Sequence, residues 1–119
     1  DRTWVQVDKH QMRQVLINIL LNAVQALSGR SNPQLTLTAE LQGGCWQLLV
    51  MDNGPGIAPE YLQKVFEPFF TTKAGGTGLG MFVSYQLAQR NNVEIQLDSD
   101  MGKGTTVRLI FRQNRKETS

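Results

Sequence analysis

Residues 14–27 read QVLINILLNAVQAL, and the fold turns on how that stretch is read. Met12, Val15, Leu16, Ile19, Leu20, Ala23 and Leu27 recur at steps of three and four, which gathers their side chains on one face of an α-helix. Asp8, followed three residues later by Gln11, has the spacing of a capping box, so the helix is expected to start at Asp8; Gly29 supplies a stop. The longest apolar run, residues 15–24, is broken by Asn18 and Asn22, and the N-terminus carries no basic-then-apolar signal. Neither a membrane span nor an export signal is therefore expected from this stretch.

The same helix carries Gln14, Asn18, Asn22 and Gln25 at steps of four, four and three, an amide stripe on an otherwise apolar cylinder. A solvated helix face would explain it. Against that, a solvated face of this length normally includes charges, and Ile17, Leu21 and Val24 crowd the stripe. An amide oxygen can ligate Mg²⁺ without adding charge, which suits a cation already facing phosphates.

Outward from this helix, residues 35–41 (LTLTAEL) alternate at period two, Gly43-Gly44 marks a turn, and residues 46–51 (WQLLVM) form a second strand. Residues 4–7 alternate as an edge strand would. Pro59 opens a short helix with Tyr61, Leu62 and Val65 on its apolar side. Residues 69–80 have neither period, whereas Leu79, Phe82, Val83, Leu87 and Ala88 resume a helical rhythm up to Arg90. Residues 93–97 and 105–111 alternate on either side of a turn at 98–104 and make a last hairpin. The fold class is α+β, a two-layer sandwich with helices on one face of a mixed, mostly antiparallel sheet of about five strands.

A chain of 119 residues holds one core, and 40% apolar residues suffice to fill it. Residues 1–112 are expected to form the domain and residues 113–119 a flexible tail. The net charge of +2 comes from that end: without Arg112, Arg115, Lys116 and Glu117 the count is nine basic against nine acidic residues. A neutral body argues against a nucleic-acid face or a membrane-binding helix. Cys45 is the sole cysteine, which excludes an internal disulfide and a multi-cysteine metal site.

Six of the 11 glycines fall within residues 54–80, where the backbone must bend or approach something closely. Asp52 ends an apolar strand and runs into Asn53-Gly54-Pro55-Gly56-Ile57. That is ordinary turn chemistry, but a carboxylate at the mouth of a buried strand can also accept a hydrogen bond from an exocyclic amine such as adenine N6. Residues 76–80, GTGLG, lead into a helix whose first amides can receive phosphate oxygens. They follow no strand, so they are not a dinucleotide fingerprint. Residues 102–105, GKGT, miss the Walker pattern because Leu97 stands at the first glycine position and Gly104 follows the lysine.

Taken together these segments resemble the catalytic, ATP-binding domain of bacterial sensor histidine kinases, within the GHKL superfamily, over residues 4–112. QVLINILLNAVQAL resembles the N box, DNGPGI the first glycine box, FEPFFTTK the F box, GTGLGM the second glycine box and GKGTT the segment before the last strand. The wording of the F box looks most like the nitrogen-regulation type.

The resemblance implies a Bergerat-type sandwich in which Asn22 ligates Mg²⁺, Asn18 lies near the phosphates and Asp52 holds the adenine amine, with Gly54, Gly56 and Ile57 lining the base pocket. It implies a lid over residues 66–77 anchored by Phe66, Phe69 and Phe70, with Lys73 contacting phosphate. Thr77, Gly78, Leu79, Gly80 and Thr105 complete the nucleotide contacts, and Gly78 and Gly80 hinge the lid through a backbone that an added Cβ would penalise. One departure is Asn91-Asn92, where the family often has histidine and glycine.

Related ATPases carry a glutamate four residues before the metal-binding asparagine to activate water, and here that position is Asn18. An amide cannot act as that base, which favours phosphotransfer over hydrolysis. His10, the sole histidine, lacks the surroundings of a phosphoacceptor box. The resemblance thus implies a domain that is monomeric and cytoplasmic, binds ATP with Mg²⁺, and phosphorylates a histidine on a separate dimerisation domain of the same parent, serving a response regulator indirectly. The alternatives are a GHKL ATPase or serine kinase, or a non-catalytic nucleotide sensor.

Overall fold

A computed structural model of the chain describes residues 7–68, 70 and 80–112. In chain order they form α1 (Lys9–Ala26), β1 (Leu35–Gln42), β2 (Cys45–Asp52), α2 (Pro59–Leu62), α3 (Gly80–Arg90), β3 (Val93–Asp100) and β4 (Gly104–Phe111).

Asp8 caps α1 as its spacing predicts, its Oδ1 accepting the Gln11 N–H at 3.0 Å. The reciprocal half of the capping box is replaced from across the molecule. Asp8 N–H donates to Asn91 Oδ1 at 2.6 Å, and the Gln11 side-chain oxygen accepts from Asn91 Nδ2 at 2.8 Å. Asn91 thereby pins the start of α1 to the end of α3. Its neighbour Asn92 has φ 57°, a left-handed turn.

The four strands lie in the order β1-β2-β4-β3, every neighbouring pair antiparallel. Gly43 and Gly44, both at positive φ, close the first hairpin in a two-residue turn whose twist suits the strands it joins. The register sets Val50 opposite Val107, with Leu97 on the other side of Val107, and sets Leu109 between Leu48 and Ile95. These side chains share the face on which α1 and α3 pack, α1 mainly over β2 and α3 over β3. Val15, Ile19, Val50 and Leu109 are fully buried there, each contributing about 1.5–3 kcal/mol of burial.

The α+β class and the helices on one face match the sequence reading, with two corrections. The described sheet has four strands where about five were expected, and it is antiparallel throughout rather than mixed. The expected strand at residues 4–7 falls outside the described residues except for Val7, which belongs to no strand. The tail at 113–119 also lies outside them. β1 is an edge strand whose Leu35, Leu37 and Leu41 share the helix-side face yet stay 40%, 52% and 49% exposed, because α1 sits over β2 and no described helix covers β1.

Candidate functional site

The end of β2 is fixed by Asn53, all of whose polar groups are engaged. Its N–H donates to the Gln34 carbonyl at 3.2 Å and its own carbonyl accepts from Arg30 Nε at 2.9 Å. Its side chain accepts the Gln34 N–H and donates to the Asn32 carbonyl, both at 2.8 Å. The connection from α1 to β1 is thereby strapped to the strand that presents Asp52. The half-buried Asp52 carboxylate accepts the Gly54 N–H on Oδ1 at 2.9 Å, and Oδ2 has no partner among the described residues.

The loop that follows is docked on the β3–β4 hairpin. Ile57 N–H donates to Ser99 Oγ at 2.7 Å, and Gly102 N–H to the Pro55 carbonyl at 2.8 Å. Glycine is required on both sides of this contact. At Gly56 (φ 81°) a Cβ would fall on the Asp100 carbonyl, and at Gly104 (φ 136°) on the Asp52 carbonyl.

Between this loop and α1 lies a cavity of about 550 Å³, in the range of small-molecule sites. Its apolar wall includes Ile19, Val50, Met81, Leu97 and Val107. Asn18 and Asn22 line it from α1, and Asp52 and Thr105 from the sheet, where the register sets these two side by side. Asn18 is already braced: its Oδ1 accepts from Gln14 Nε2 at 2.9 Å and its Nδ2 donates to the Gly80 carbonyl at 3.3 Å. Ser84, buried in α3, gives its hydroxyl to the same carbonyl at 2.9 Å.

Of the expected site residues, Asn18, Asn22, Asp52, Gly56, Ile57, Phe70, Gly80 and Thr105 all line this cavity. Gly54 sits behind Asp52, and Phe66 stacks on Tyr85 with ring centroids 5.2 Å apart; neither is among the lining residues. Lys73, Thr77, Gly78 and Leu79, with Phe69, lie outside the described residues. The backbone argument made for Gly80 does not hold. It is the first residue of α3, is not at positive φ, and a Cβ there would meet nothing within 4 Å. Sequence reading missed Ser99 and the structural use of Asn53. A lone Ser in an alternating strand gives no signal, whereas Asn53 stood inside the quoted glycine box.

No group of three or more His, Cys, Asp or Glu among the described residues is placed to hold a metal ion. The polar side chains that line the cavity from α1 include those of Asn18, Asn22 and Gln25, whose neutral amide oxygens are hard donors of the kind that fits Mg²⁺ when most of its ligands are phosphates and water. No helix among the described residues is long and apolar enough to cross a membrane.

Comparison with known proteins gives a consistent picture. The family described as histidine kinase-, DNA gyrase B- and HSP90-like ATPase matches residues 7–115. The sensor histidine kinase ZraS of Escherichia coli K12 is 40% identical over 110 residues, covering 92% of this chain and 23% of that protein. Sporulation kinase E of Bacillus subtilis is 37% identical over 115 residues, covering 95% of this chain and 15% of that protein. The chain thus spans a quarter or less of these relatives' length. Among solved structures, the catalytic domain of histidine kinase ThkA superposes with a TM-score of 0.79 at 30% identity, covering 92% of this chain and 70% of that one. Full-length ShkA in complex with AMPPNP superposes at 0.76 with 26% identity, covering 97% of this chain and 24% of that one. The chain belongs to the histidine kinase-, DNA gyrase B- and HSP90-like ATPase family.

Proposed function

We propose that this chain is the catalytic domain of a sensor histidine kinase, binding ATP with Mg²⁺ and giving the γ-phosphoryl group to a histidine on a separate dimerisation domain of its parent. The observation that carries this reading is the polarity of the cavity, with acceptors at one end and helix amides at the other. Asp52 and Thr105 stand near Ala26, at the end of α1, and Asn18 meets Gly80 two turns earlier. Eight residues of helix separate the two ends by about 12 Å, room for a base at one and phosphates at the other.

In this reading Asp52 Oδ2 accepts from the adenine amine, held in place by the Gly54 N–H and the Asn53 strap. Gly56 and Ile57 border the ring. Asn22 supplies an amide oxygen to the Mg²⁺, which when bound neutralises phosphate charge. Asn18 keeps Gly80 and the start of α3 in register with α1, and Lys73, Thr77, Gly78 and Leu79 contact phosphates from the lid.

An amide at position 18, bonded on both its oxygen and its nitrogen, offers no base for water. An acceptor imidazole brings its own lone pair, so positioning is the service the domain must supply. That favours phosphotransfer over an ATPase. The wording of residues 66–73 supports a kinase of the nitrogen-regulation type, and the likeness to bacterial sensor kinases supports a cytoplasmic location and a response regulator downstream.

The test mixes the chain with γ-labelled ATP and a separately made phosphoacceptor helix pair. Acid-labile, base-stable label on that pair is expected; free phosphate released without label transfer would replace this reading with an ATPase.

A further inference from the structure

Ser99 lies outside the cavity wall, yet its hydroxyl joins three parts of the site. It accepts the Ile57 N–H at 2.7 Å, donates to the Gly104 carbonyl at 3.0 Å, and stands 3.0 Å from Thr105 Oγ1. A serine hydroxyl has one proton to give. With that proton on the buried Gly104 carbonyl, the Ser99–Thr105 contact forms only if Thr105 is the donor. The reverse arrangement, Ser99 donating to Thr105, gives up the Ser99 bond to the Gly104 carbonyl, which then keeps only its ladder partner Asp100.

We infer that Ser99 is a positioning residue for purine selectivity: by taking the proton of the Thr105 hydroxyl, it leaves Thr105 facing the cavity as an acceptor beside Asp52. The register makes the pair, Asp52 opposite Thr105 on β4 and Thr105 opposite Ser99 on β3. Two neighbouring acceptors match the exocyclic amine of a 6-amino purine and repel the oxygen of a 6-oxo purine. Without Ser99 the Thr105 hydroxyl is free to turn and donate to that oxygen. The inference rests on the reading of Asp52 as the group that holds the adenine amine.

The test measures equilibrium affinity of the 119-residue chain for ATP and for inosine triphosphate. The parent is expected to prefer ATP, and Ser99→Ala to narrow the ratio of the two affinities by about tenfold, the worth of one hydrogen bond made or opposed. Ser99→Thr, which keeps the hydroxyl, is expected to restore the ratio. Thr105→Val is expected to narrow it alone, with Ser99→Ala adding nothing in the double variant.

A parallel fall in both affinities with the ratio kept overturns the inference and leaves Ser99 a brace for Ile57. If Ser99→Ala does not fold, the ratio in Thr105→Val decides, and an unchanged ratio there overturns the inference. The parent reading fails separately: if Asp52→Asn leaves ATP affinity unaltered, the adenine assignment falls and this inference with it. If Asp52→Asn weakens ATP while the Ser99→Ala ratio holds, only the role of Ser99 is lost.

Discussion

The Gly54 N–H donates to Asp52 Oδ1 at 2.9 Å, so one oxygen of this carboxylate is held by its own loop while Asp52 lines the cavity beside Thr105. If Oδ2 takes the adenine amine as proposed, the two oxygens separate folding from binding. Asp52→Asn can keep an oxygen for Gly54 and then presents an amide N–H₂ where an amine donor would arrive. The expected result is ATP affinity reduced by about 10- to 100-fold, the worth of a hydrogen bond to a charged group, with thermal stability close to the parent's. Calorimetric titration beside a melting curve checks both halves.

Asn22 lies on α1 between Asn18 and Ala26, all three lining the cavity. If its oxygen serves the cation, Asn22→Ala should abolish the gain in ATP affinity that Mg²⁺ confers while leaving adenosine binding within about twofold, since a lost ligand acts at the phosphate end only. Titrations of ATP and adenosine with and without Mg²⁺ make the comparison. An Mg²⁺ gain equal in variant and parent would remove Asn22 from the metal site.

Two glycines that both line the cavity should respond oppositely to a methyl group. Gly56 has φ 81° and its Cβ would land on the Asp100 backbone, which cannot step aside without moving the β3–β4 turn. Gly80 opens α3 with open space where its Cβ would go. Gly56→Ala should therefore cost at least about 1–2 kcal/mol of stability from the left-handed backbone alone. Gly80→Ala should be neutral to slightly stabilising, by up to about 1 kcal/mol, because alanine is the better helix former. Urea unfolding of the two variants settles the order.

What the sequence made legible were the features written in local spacing. α1 could be read because apolar residues return every three or four positions, and both hairpins because alternation is interrupted by turn residues. The pocket side chains were legible where chemistry is unusual for its setting, as with uncharged amides on an apolar helix or an acid at the end of a buried strand. What could not be read depends on partners far apart in the chain. Ile57 meets Ser99 over 42 residues and Asp8 meets Asn91 over 83, and no periodicity encodes either meeting. The exposure of Leu37 was equally hidden: alternation in β1 identifies two faces but not whether a helix lies over one of them.

The Asn91-Asn92 pair divides into two separable tasks. Asn91 gives Nδ2 to Gln11 Oε1 and to the Leu87 carbonyl, both at 2.8 Å, and takes the Asp8 N–H at 2.6 Å. Asn91→Ala leaves the amide at the start of α1 and the carbonyl near the end of α3 to find water, and should lower stability by about 1–3 kcal/mol. Among the described residues the Asn92 side chain has no hydrogen-bond partner, and its contribution is its tolerance of φ 57°. Asn92→Gly should hold stability within about 0.5 kcal/mol of the parent or raise it, and Asn92→Val should lower it by about 1–2 kcal/mol. Neither residue lines the cavity, so ATP affinity in the folded variants should stay near the parent's. Chemical denaturation orders the three variants, and a stable Asn91→Ala would mean that the two helices are held together by their apolar contact rather than by this amide.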